Sequence, residues 1–222
     1  MNTPRIIVPV LALLFCLVAF AVFHSGLHAP WYYDSALLQD HEQVFAGQGL
    51  AGVVNLFPQR PIPMASFYLN YLVSGMNPFP YRCTNVVLLA LTASGVVALV
   101  LLLLDTPVLA ARGTASEKTV LAVICGLIFL VHPVQTYLVL YVWQRMALLA
   151  CGFSIWAFVA YLAARLSRFD PPAVGYVLCF VLFSMAMMSK ENAITLPVIL
   201  VLAEIAFFRP SMRELSFRAV IC

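Results

Sequence analysis

The residues best suited to chemistry in this sequence are ionisable side chains at the borders of long apolar segments. They are Asp34 in WYYDS, Arg145 in YVWQRMALLA, and the adjacent pair Lys190 and Glu191 in MMSKENAITLP. An ionisable side chain is costly in the hydrocarbon of a bilayer, so this placement favours either a polar turn or a functional site. The decision depends on which of these residues share one membrane face.

Asp34 has two interpretations. As a structural residue, it could cap a short helix at the membrane surface, because its side-chain oxygens accept from first-turn N–H groups. As a functional residue, its carboxylate could take a proton from an acceptor hydroxyl at the water–lipid boundary. Asp40 and Glu42 lie nearby but are more typical of a solvated face.

Arg145 and Lys190 are the cations available to an anionic ligand. Arg145 opens an apolar span, where it either reaches lipid headgroups or pairs with an anion such as Asp34, Glu191 or a lipid phosphate. Lys190 stands beside an expected helix N-terminus, which favours anions. The SKEN segment is therefore either a tight polar turn or a phosphate site.

The composition requires a membrane. Of the 222 residues, 64% are hydrophobic and 9% are charged, and the mean hydropathy is +0.99, whereas a soluble domain has about 25% charged residues. We therefore predict an all-α, polytopic membrane fold, a bundle of about six transmembrane helices. The net charge of +3 is small and no basic stripe with interleaved aromatics occurs, so nucleic acid is not an expected partner.

Six apolar segments are candidate spans: Ile6–Phe23, Cys83–Leu104, Thr119–Val131, Met146–Ala164, Ala173–Met188 and Ile194–Phe208. A spanning helix needs about 20 apolar residues. The first, second and fourth segments meet this, and the others must borrow flanking residues or pack inside the bundle. The first apolar run is longer than a signal-peptide core, so a retained anchor is expected.

Loop charges predict the orientation. Positive residues fall on alternate loops, at Arg5, at Arg112 and Lys118, at Arg165 and Arg168, and at Arg209, Arg213 and Arg218. Cytoplasmic loops carry an excess of Lys and Arg, so we expect a cytoplasmic N-terminus, in a bacterial inner membrane. The remaining loops then share the external face, and they hold Asp34, Arg60, His132, Arg145, Lys190 and Glu191.

The first external loop, about residues 24–82, is far longer than the usual helix connection of about 2–8 residues. We expect it to carry two short helices at the outer interface, over residues 34–45 and 61–72. The second begins at a pair of prolines and is closed by Ser74-Gly75.

Three segments resemble motifs of the bacterial and animal transmembrane–TPR proteins. NLFPQRPIPMASFYLNYLVSGMNPFPYR is similar to the run RPL, LNY and NPFGYH of that family, HPVQTYLVLYVWQR to HPV.TE.V.YI..R, and SKENAITLP to SKE.A.TLP. WYYDS aligns with the family's first-loop acidic motif. The resemblance covers about Trp31 to Glu204. These proteins are GT-C-type glycosyltransferases that use polyprenyl-phosphate sugars, and they include O-mannosyltransferases.

The resemblance implies that residues 1–222 are the N-terminal part of a GT-C-like transmembrane domain, with the C-terminal half apparently absent. It implies an enzyme, when full length, that moves a sugar from a polyprenyl-phosphate donor to a protein or glycan hydroxyl on the external face. Asp34 is then the catalytic base. We predict that Arg145 and Lys190 bind the donor phosphate, and that the orienting or substrate-binding residues are His132, Glu191, Tyr33 and Arg60.

The chain departs from the family pattern at two positions. Tyr33 precedes Asp34 where the family often has a double acid, and Tyr137 stands where it often has glutamate. No metal ligand set or cofactor is assigned, although a divalent metal is compatible with the chemistry. His24 and His28 are spaced to share a helix face and could bind a metal, but interfacial histidines are the simpler interpretation.

The alternative function is a non-catalytic polytopic membrane protein, such as a transporter half or an assembly factor. A transporter is expected to carry ionisable residues near the bilayer midplane, often with broken helices. The charges of this chain stand at the ends of the predicted spans. That placement favours chemistry at the membrane surface.

Overall fold

The computed structural model describes residues 3–208 of the chain, with side chains from residue 10 onward. Its α-helices are α1 (Thr3–Phe23), α2 (Leu37–Asp40), α3 (Glu42–Gly47), α4 (Gly49–Leu56), α5 (Pro61–Ser74), α6 (Pro78–Leu104), α7 (Ala115–Val131), α8 (Gln135–Leu140), α9 (Arg145–Arg165), α10 (Ala173–Met187) and α11 (Leu196–Ala203). Residues 3–208 contain no β-strand, so the predicted all-α class is confirmed.

Short elements complete the chain between these helices. Four 3-10 helices are formed by His24–Gly26, Tyr33–Ala36, Val142–Gln144 and Glu191–Thr195, and a π-helical turn, Glu204–Phe208, continues α11. The predicted cytoplasmic charges Arg209, Arg213 and Arg218 lie outside the described residues, as does the side chain of Arg5.

Three helical segments are long and apolar enough to cross a membrane: Pro78–Leu104, Val142–Arg165 and Glu191–Phe208. Two further apolar helices, Val10–Gly26 and Ala173–Met187, are shorter than about 20 residues. Each predicted span falls on a helix, and apolar side chains such as Phe180 and Val198 remain exposed on the outside of the bundle. The chain is an integral membrane helix bundle with at least three candidate spans.

Helix α6 is the centre of the bundle and contacts α1, α7 and α9. The contact with α7 is close because α7 presents Gly126 to α6. A Cβ at this position would lie 2.5 Å from Cγ2 of Val97 and 3.2 Å from the carbonyl oxygen of Ala93. Small residues permit such close helix packing where water supplies no hydrophobic driving force.

The long first loop folds onto one end of the bundle. Its buried side chains Leu38, Phe45, Val53, Met64 and Phe67 form one core with Tyr81 of α6, Val142, and Met146 of α9. The loop is therefore a packed cap over the start of α6 and α9, and it positions the residues that the sequence singled out.

The two helices predicted in this loop differ in outcome. Helix α5 begins at Pro61 and ends at Ser74, and Gly75 follows with φ +58°, a conformation that glycine adopts at low cost. The continuous helix expected over residues 34–45 is wrong. His41, with φ −101° and ψ 14°, interrupts it between α2 and α3.

Ion pairs gather at the opposite end of the bundle. Asp105 lies 3.5 Å from the ammonium of Lys118 and 2.9 Å from the guanidinium of Arg168. Arg165 donates to Glu204 at 2.9 Å. Lys118, Arg165 and Arg168, which were predicted to lie on one membrane side, are therefore at one end of the bundle.

Candidate functional site

Asp34 lies exposed in the 3-10 helix Tyr33–Ala36, at the capped end of the bundle. Its Oδ2 accepts a hydrogen bond of 2.8 Å from the hydroxyl of Tyr141, while the described residues make none to Oδ1. The N-cap of this helix is Tyr32, and no side chain caps it. Asp34 is therefore not a helix cap, and one of its carboxylate oxygens is available to solvent.

Tyr141, the donor to this carboxylate, packs against the rings of three other tyrosines, and we call the four the tyrosine cluster: Tyr32, Tyr33, Tyr137 and Tyr141. The ring of Tyr141 lies 5.0 Å from that of Tyr137 and 5.9 Å from those of Tyr32 and Tyr33, centroid to centroid. Tyr141 is only 4% exposed, whereas Tyr33 is 79% and Tyr137 52% exposed. The cluster thus has a buried centre and an open rim.

Burial is the main cause that raises the pKa of Tyr141 to about 12, and its hydrogen bond to Asp34 raises that pKa further. Burial also raises the pKa of Tyr32, and the nearby Arg82 guanidinium partly opposes this effect. At neutral pH both phenols are therefore protonated. Tyr141 is a donor to Asp34 and not a competing base.

Tyr33 has φ +52°, in the left-handed region that is unusual for an aromatic residue. Such a conformation costs on the order of 1–3 kcal/mol and persists only where neighbours enforce it. The neighbours on either side are fixed: Tyr32 stacks on Tyr141, and Oγ of Ser35 accepts from the backbone N–H of Trp143 at 3.1 Å. These contacts hold the strained turn that presents Asp34.

Arg82 fastens the chain that leads into this turn. Its guanidinium is fully buried and donates to four carbonyl oxygens, those of Leu27, Ala29, Pro30 and Leu140. The Cζ atom also lies 5.6 Å from the centroid of the Tyr32 ring. One side chain of α6 thereby joins the start of the first loop to the end of α8.

Arg145 is also fully buried, at the start of α9. Nε donates to Oδ1 of Asn85, Nη1 to Oδ1 of Asn70 and Nη2 to the carbonyl oxygen of Tyr81, each at 2.7 Å. The sequence predicted an anion or lipid headgroups as the partners of Arg145. That prediction is wrong, because neutral oxygens surround the enclosed guanidinium. Its role at a donor phosphate stays a prediction.

Glu191 and Arg60 connect the SKEN segment to the first loop. The Nη2 of Arg60 donates to both carboxylate oxygens of Glu191, at 2.9 and 3.1 Å. Nη1 of Arg60 lies 3.3 Å from the sulfur of Met146. The Glu191 side chain is 71% exposed, so the ion pair lies at the rim of the cap.

Lys190 immediately precedes the 3-10 helix Glu191–Thr195, with an extended backbone and a half-buried side chain. Within the described residues no hydrogen bond or salt bridge holds its ammonium group, although the charge of Lys190 acts on the neighbouring Glu191 carboxylate. Lys190 thus differs from Arg60 and Arg145, whose guanidinium groups are held by hydrogen bonds.

His132 ends α7, and its Nδ1 accepts from the backbone N–H of Val134 at 3.2 Å. The structure gives it no contact with Asp34, Lys190 or Glu191. The two other histidines considered for a metal have local partners: His24 Nδ1 lies 2.9 Å from a carbonyl oxygen of its own helix, and the His28 ring stacks on Phe79. In the described part of the chain, no three His, Cys, Asp or Glu residues form a group that could hold a metal ion.

Contacts thus connect three segments that are distant in sequence. Asp34 of the first loop meets Tyr141, and Arg60 of the same loop meets both Met146 and Glu191. Sequence reasoning did not assign roles to Tyr141 and Arg82. Arg82 did carry a signal, because an arginine beside an apolar span needs partners, but a tyrosine in an apolar segment did not stand out.

The Asp34 carboxylate with its donor Tyr141, and the ion pair of Arg60 with Glu191, form a candidate functional site at the capped end of the membrane helix bundle. The chain is similar to curated animal protein O-mannosyl-transferases. It is 35% identical over 159 residues to Protein O-mannosyl-transferase TMTC1 of Mus musculus, an alignment covering 68% of this chain and 16% of that protein. With Protein O-mannosyl-transferase Tmtc1 of Drosophila melanogaster, identity is 32% over 197 residues, 80% of this chain and 21% of the relative.

Protein O-mannosyl-transferase TMTC3 of Mus musculus is 30% identical over 136 residues, which cover 61% of this chain and 13% of that protein. No family model and no solved structure matches the chain. The predicted resemblance to O-mannosyltransferase-like proteins is confirmed. The chain spans about a fifth or less of the length of these relatives.

Proposed function

We propose that this chain is part of an inverting GT-C-type glycosyltransferase, which moves a sugar from a polyprenyl-phosphate donor to a protein or glycan hydroxyl. The activity is proposed for the full-length protein, because the aligned segment is a small part of each relative. The observation that carries the proposal is the Asp34 carboxylate, which is held through Oδ2 and open at Oδ1. The names of the relatives support the transfer of a sugar to protein.

In this reaction Asp34 is the general base. The acceptor hydroxyl gives its proton to Oδ1 as its oxygen attacks the anomeric carbon, and the bond from that carbon to the donor phosphate oxygen breaks. The phosphate leaves with the bonding electron pair. A single displacement of this kind inverts the configuration at the anomeric carbon.

The departing phosphate carries negative charge that fixed cations stabilise most strongly where water is excluded. Lys190 is the proposed direct ligand, supported by its place at the start of the 3-10 helix Glu191–Thr195. Arg145 is the second proposed cation. Neutral oxygens enclose its guanidinium. Its positive charge therefore acts on the phosphate from a distance, from the start of α9.

The remaining assigned residues orient these groups or the substrate. Glu191, paired with Arg60, restrains the segment that carries Lys190. Tyr33 offers an exposed ring beside Asp34, and His132 contacts substrate from the end of α7. Replacing Glu191 by glutamine in the full-length protein is expected to weaken donor binding without abolishing transfer.

We also propose six spans with a cytoplasmic N-terminus, in a bacterial inner membrane, which places Asp34 and Lys190 on the external face. The support is the separation of Lys118, Arg165 and Arg168, at one end, from the candidate site at the other. Reporter fusions at the loops after α6 and α7 test this orientation, and an external loop after α6 would contradict it.

The decisive experiment replaces Asp34 by asparagine in the full-length protein and measures glycan transfer at matched expression. General acid–base groups typically contribute about 10²–10⁴-fold, so transfer should fall by that order. Asp40→Asn is the matched control, because Asp40 is an exposed acid of the same loop. Near-normal transfer by the Asp34 variant would refute the assignment.

A second experiment addresses the phosphate. Lys190→Ala should weaken binding of the polyprenyl-phosphate sugar, while Arg168→Ala, which removes an exposed cation at the other end of the bundle, should not. If the Lys190 variant binds the donor as well as the wild type does, the SKEN segment is a polar turn and not a phosphate site.

A further inference from the structure

The Asp34 carboxylate is held asymmetrically. Asp34 is exposed, yet its Oδ2 is 2.8 Å from a hydroxyl whose own residue is 4% exposed. That residue, Tyr141, is the buried centre of the tyrosine cluster, with rings of the other three members at 5.0 to 5.9 Å. The donor is therefore fixed by packing, whereas the acceptor would otherwise be free to rotate.

We propose that Tyr141 is a positioning residue, which holds Oδ2 of Asp34 so that Oδ1 faces the incoming acceptor hydroxyl. This inference rests on the proposed function of Asp34 as base. A hydrogen bond from a neutral donor to a carboxylate is stronger than one between neutral groups, so a fixed donor can hold the orientation of Oδ2. Tyr141 therefore acts on the orientation of the carboxylate.

Proton movement is consistent with this division of roles. The proton of the acceptor hydroxyl passes to Oδ1 of Asp34, and Tyr141 keeps its own proton throughout. The pKa of the Tyr141 hydroxyl is raised, chiefly by burial, to about 12, so this group is not a base at neutral pH. Only Asp34 changes its protonation state in the transfer.

Tyr137 supplies a matched control within the same cluster. Its ring packs on Tyr141 at 5.0 Å, but its hydroxyl accepts from the side-chain amide of Gln144 at 3.2 Å and does not contact Asp34. Removing either hydroxyl leaves the ring packing in place. Only the removal from Tyr141 frees the carboxylate.

The test measures kcat and KM for donor and acceptor in full-length Tyr141→Phe, Tyr137→Phe and Asp34→Asn. Misplacing a reacting group costs up to about 10²-fold in rate, so Tyr141→Phe should lower kcat by about 10- to 100-fold. Both KM values should stay within about twofold, because the contact acts in the transition state and not in substrate binding. Tyr137→Phe should keep kcat within about twofold.

Each other result has one meaning. If Asp34→Asn is inactive and Tyr141→Phe keeps its kcat, the positioning role is overturned and the proposed function stands. The positioning role is also overturned if both phenylalanine variants lose kcat equally, or if Tyr141→Phe changes only KM, since ring packing or binding then explains the loss. If Asp34→Asn is active, the proposed function itself fails. Phenylalanine keeps the ring in place. A thermal unfolding midpoint equal to that of the wild type verifies that each variant is folded.

Discussion

Arg145→Met is expected to destabilise the fold strongly, because it removes a fully buried guanidinium. The guanidinium makes five hydrogen bonds, to Asn85, to Asn70, to both oxygens of Ser66 and to the carbonyl oxygen of Tyr81. It also lies between two aromatic rings, with Cζ 4.7 Å from the Phe67 centroid and 5.7 Å from that of Tyr81. Methionine fills similar space but donates nothing.

Two lines of reasoning give a similar cost. Side-chain hydrogen bonds inside membrane proteins average about 0.6 kcal/mol, which gives about 3 kcal/mol for the five bonds. Breaking a buried charged network by removing one member costs about 3–5 kcal/mol, and relief of the desolvation of Arg145 favours the lower value. We expect a loss of about 3 kcal/mol in the free energy of unfolding. Arg145→Lys should lose much of the same amount, because an ammonium cannot span acceptors on opposite sides.

The assay is denaturant unfolding of the purified protein in detergent, without substrate. Arg168→Met is the control, because the exposed pair of Arg168 with Asp105 contributes at most about 1 kcal/mol. A loss for Arg145→Met no larger than that of the control would refute the reasoning. It would mean that the neutral acceptors around Arg145 find other partners at no cost.

Three further predictions test separate contacts. Gly126→Val should lower the free energy of unfolding by about 1–3 kcal/mol through overpacking against α6. Gly47→Ala is the control and should be tolerated, because a Cβ there meets nothing within 4 Å. Equal losses for the two variants in unfolding assays would contradict this. Glu191→Gln should leave the free energy of unfolding nearly unchanged, since the Glu191 side chain of its pair with Arg60 is largely exposed; a clear loss of unfolding free energy would contradict this. The raised pKa of Tyr141 favours the neutral phenol in the folded state. Its contribution to stability is therefore complete below about pH 10 and is lost as the pH rises through about 12. The ultraviolet difference titration of wild type minus Tyr141→Phe should show this late ionisation, and ionisation near pH 10 would contradict it.

The helices of the bundle could be predicted because each is a long apolar run, and such runs are local features of the sequence. Pro61 and Gly75 likewise mark the ends of α5 through their own backbone preferences. The break at His41 carries no such signal. It is accommodated by packing of Leu38 and Phe45 into the cap, which is a property of the folded chain.

The sequence names most residues of the candidate site but not the contacts between them. Asp34 and Tyr141 are 107 residues apart, and Arg60 and Glu191 are 131 apart. Pairs at these separations follow from how the cap sits on α6 and α9, which no local pattern specifies. The same reason explains Arg145: its position beside a span was evident, but the neutral oxygens that satisfy it come from α5 and α6.

The two buried arginines explain how an irregular segment can stand at the end of a membrane bundle. Backbone carbonyls outside helices need partners wherever water is scarce. Arg82 supplies donors to three such carbonyls, on the segment that leads to Asp34, and Arg145 ties α5 and α6 to the start of α9. Because neutral oxygens satisfy both guanidinium groups, neither arginine pairs with Asp34 or Glu191. The carboxylate oxygen that the proposed chemistry needs is therefore left open by the same contacts that hold the loop in place.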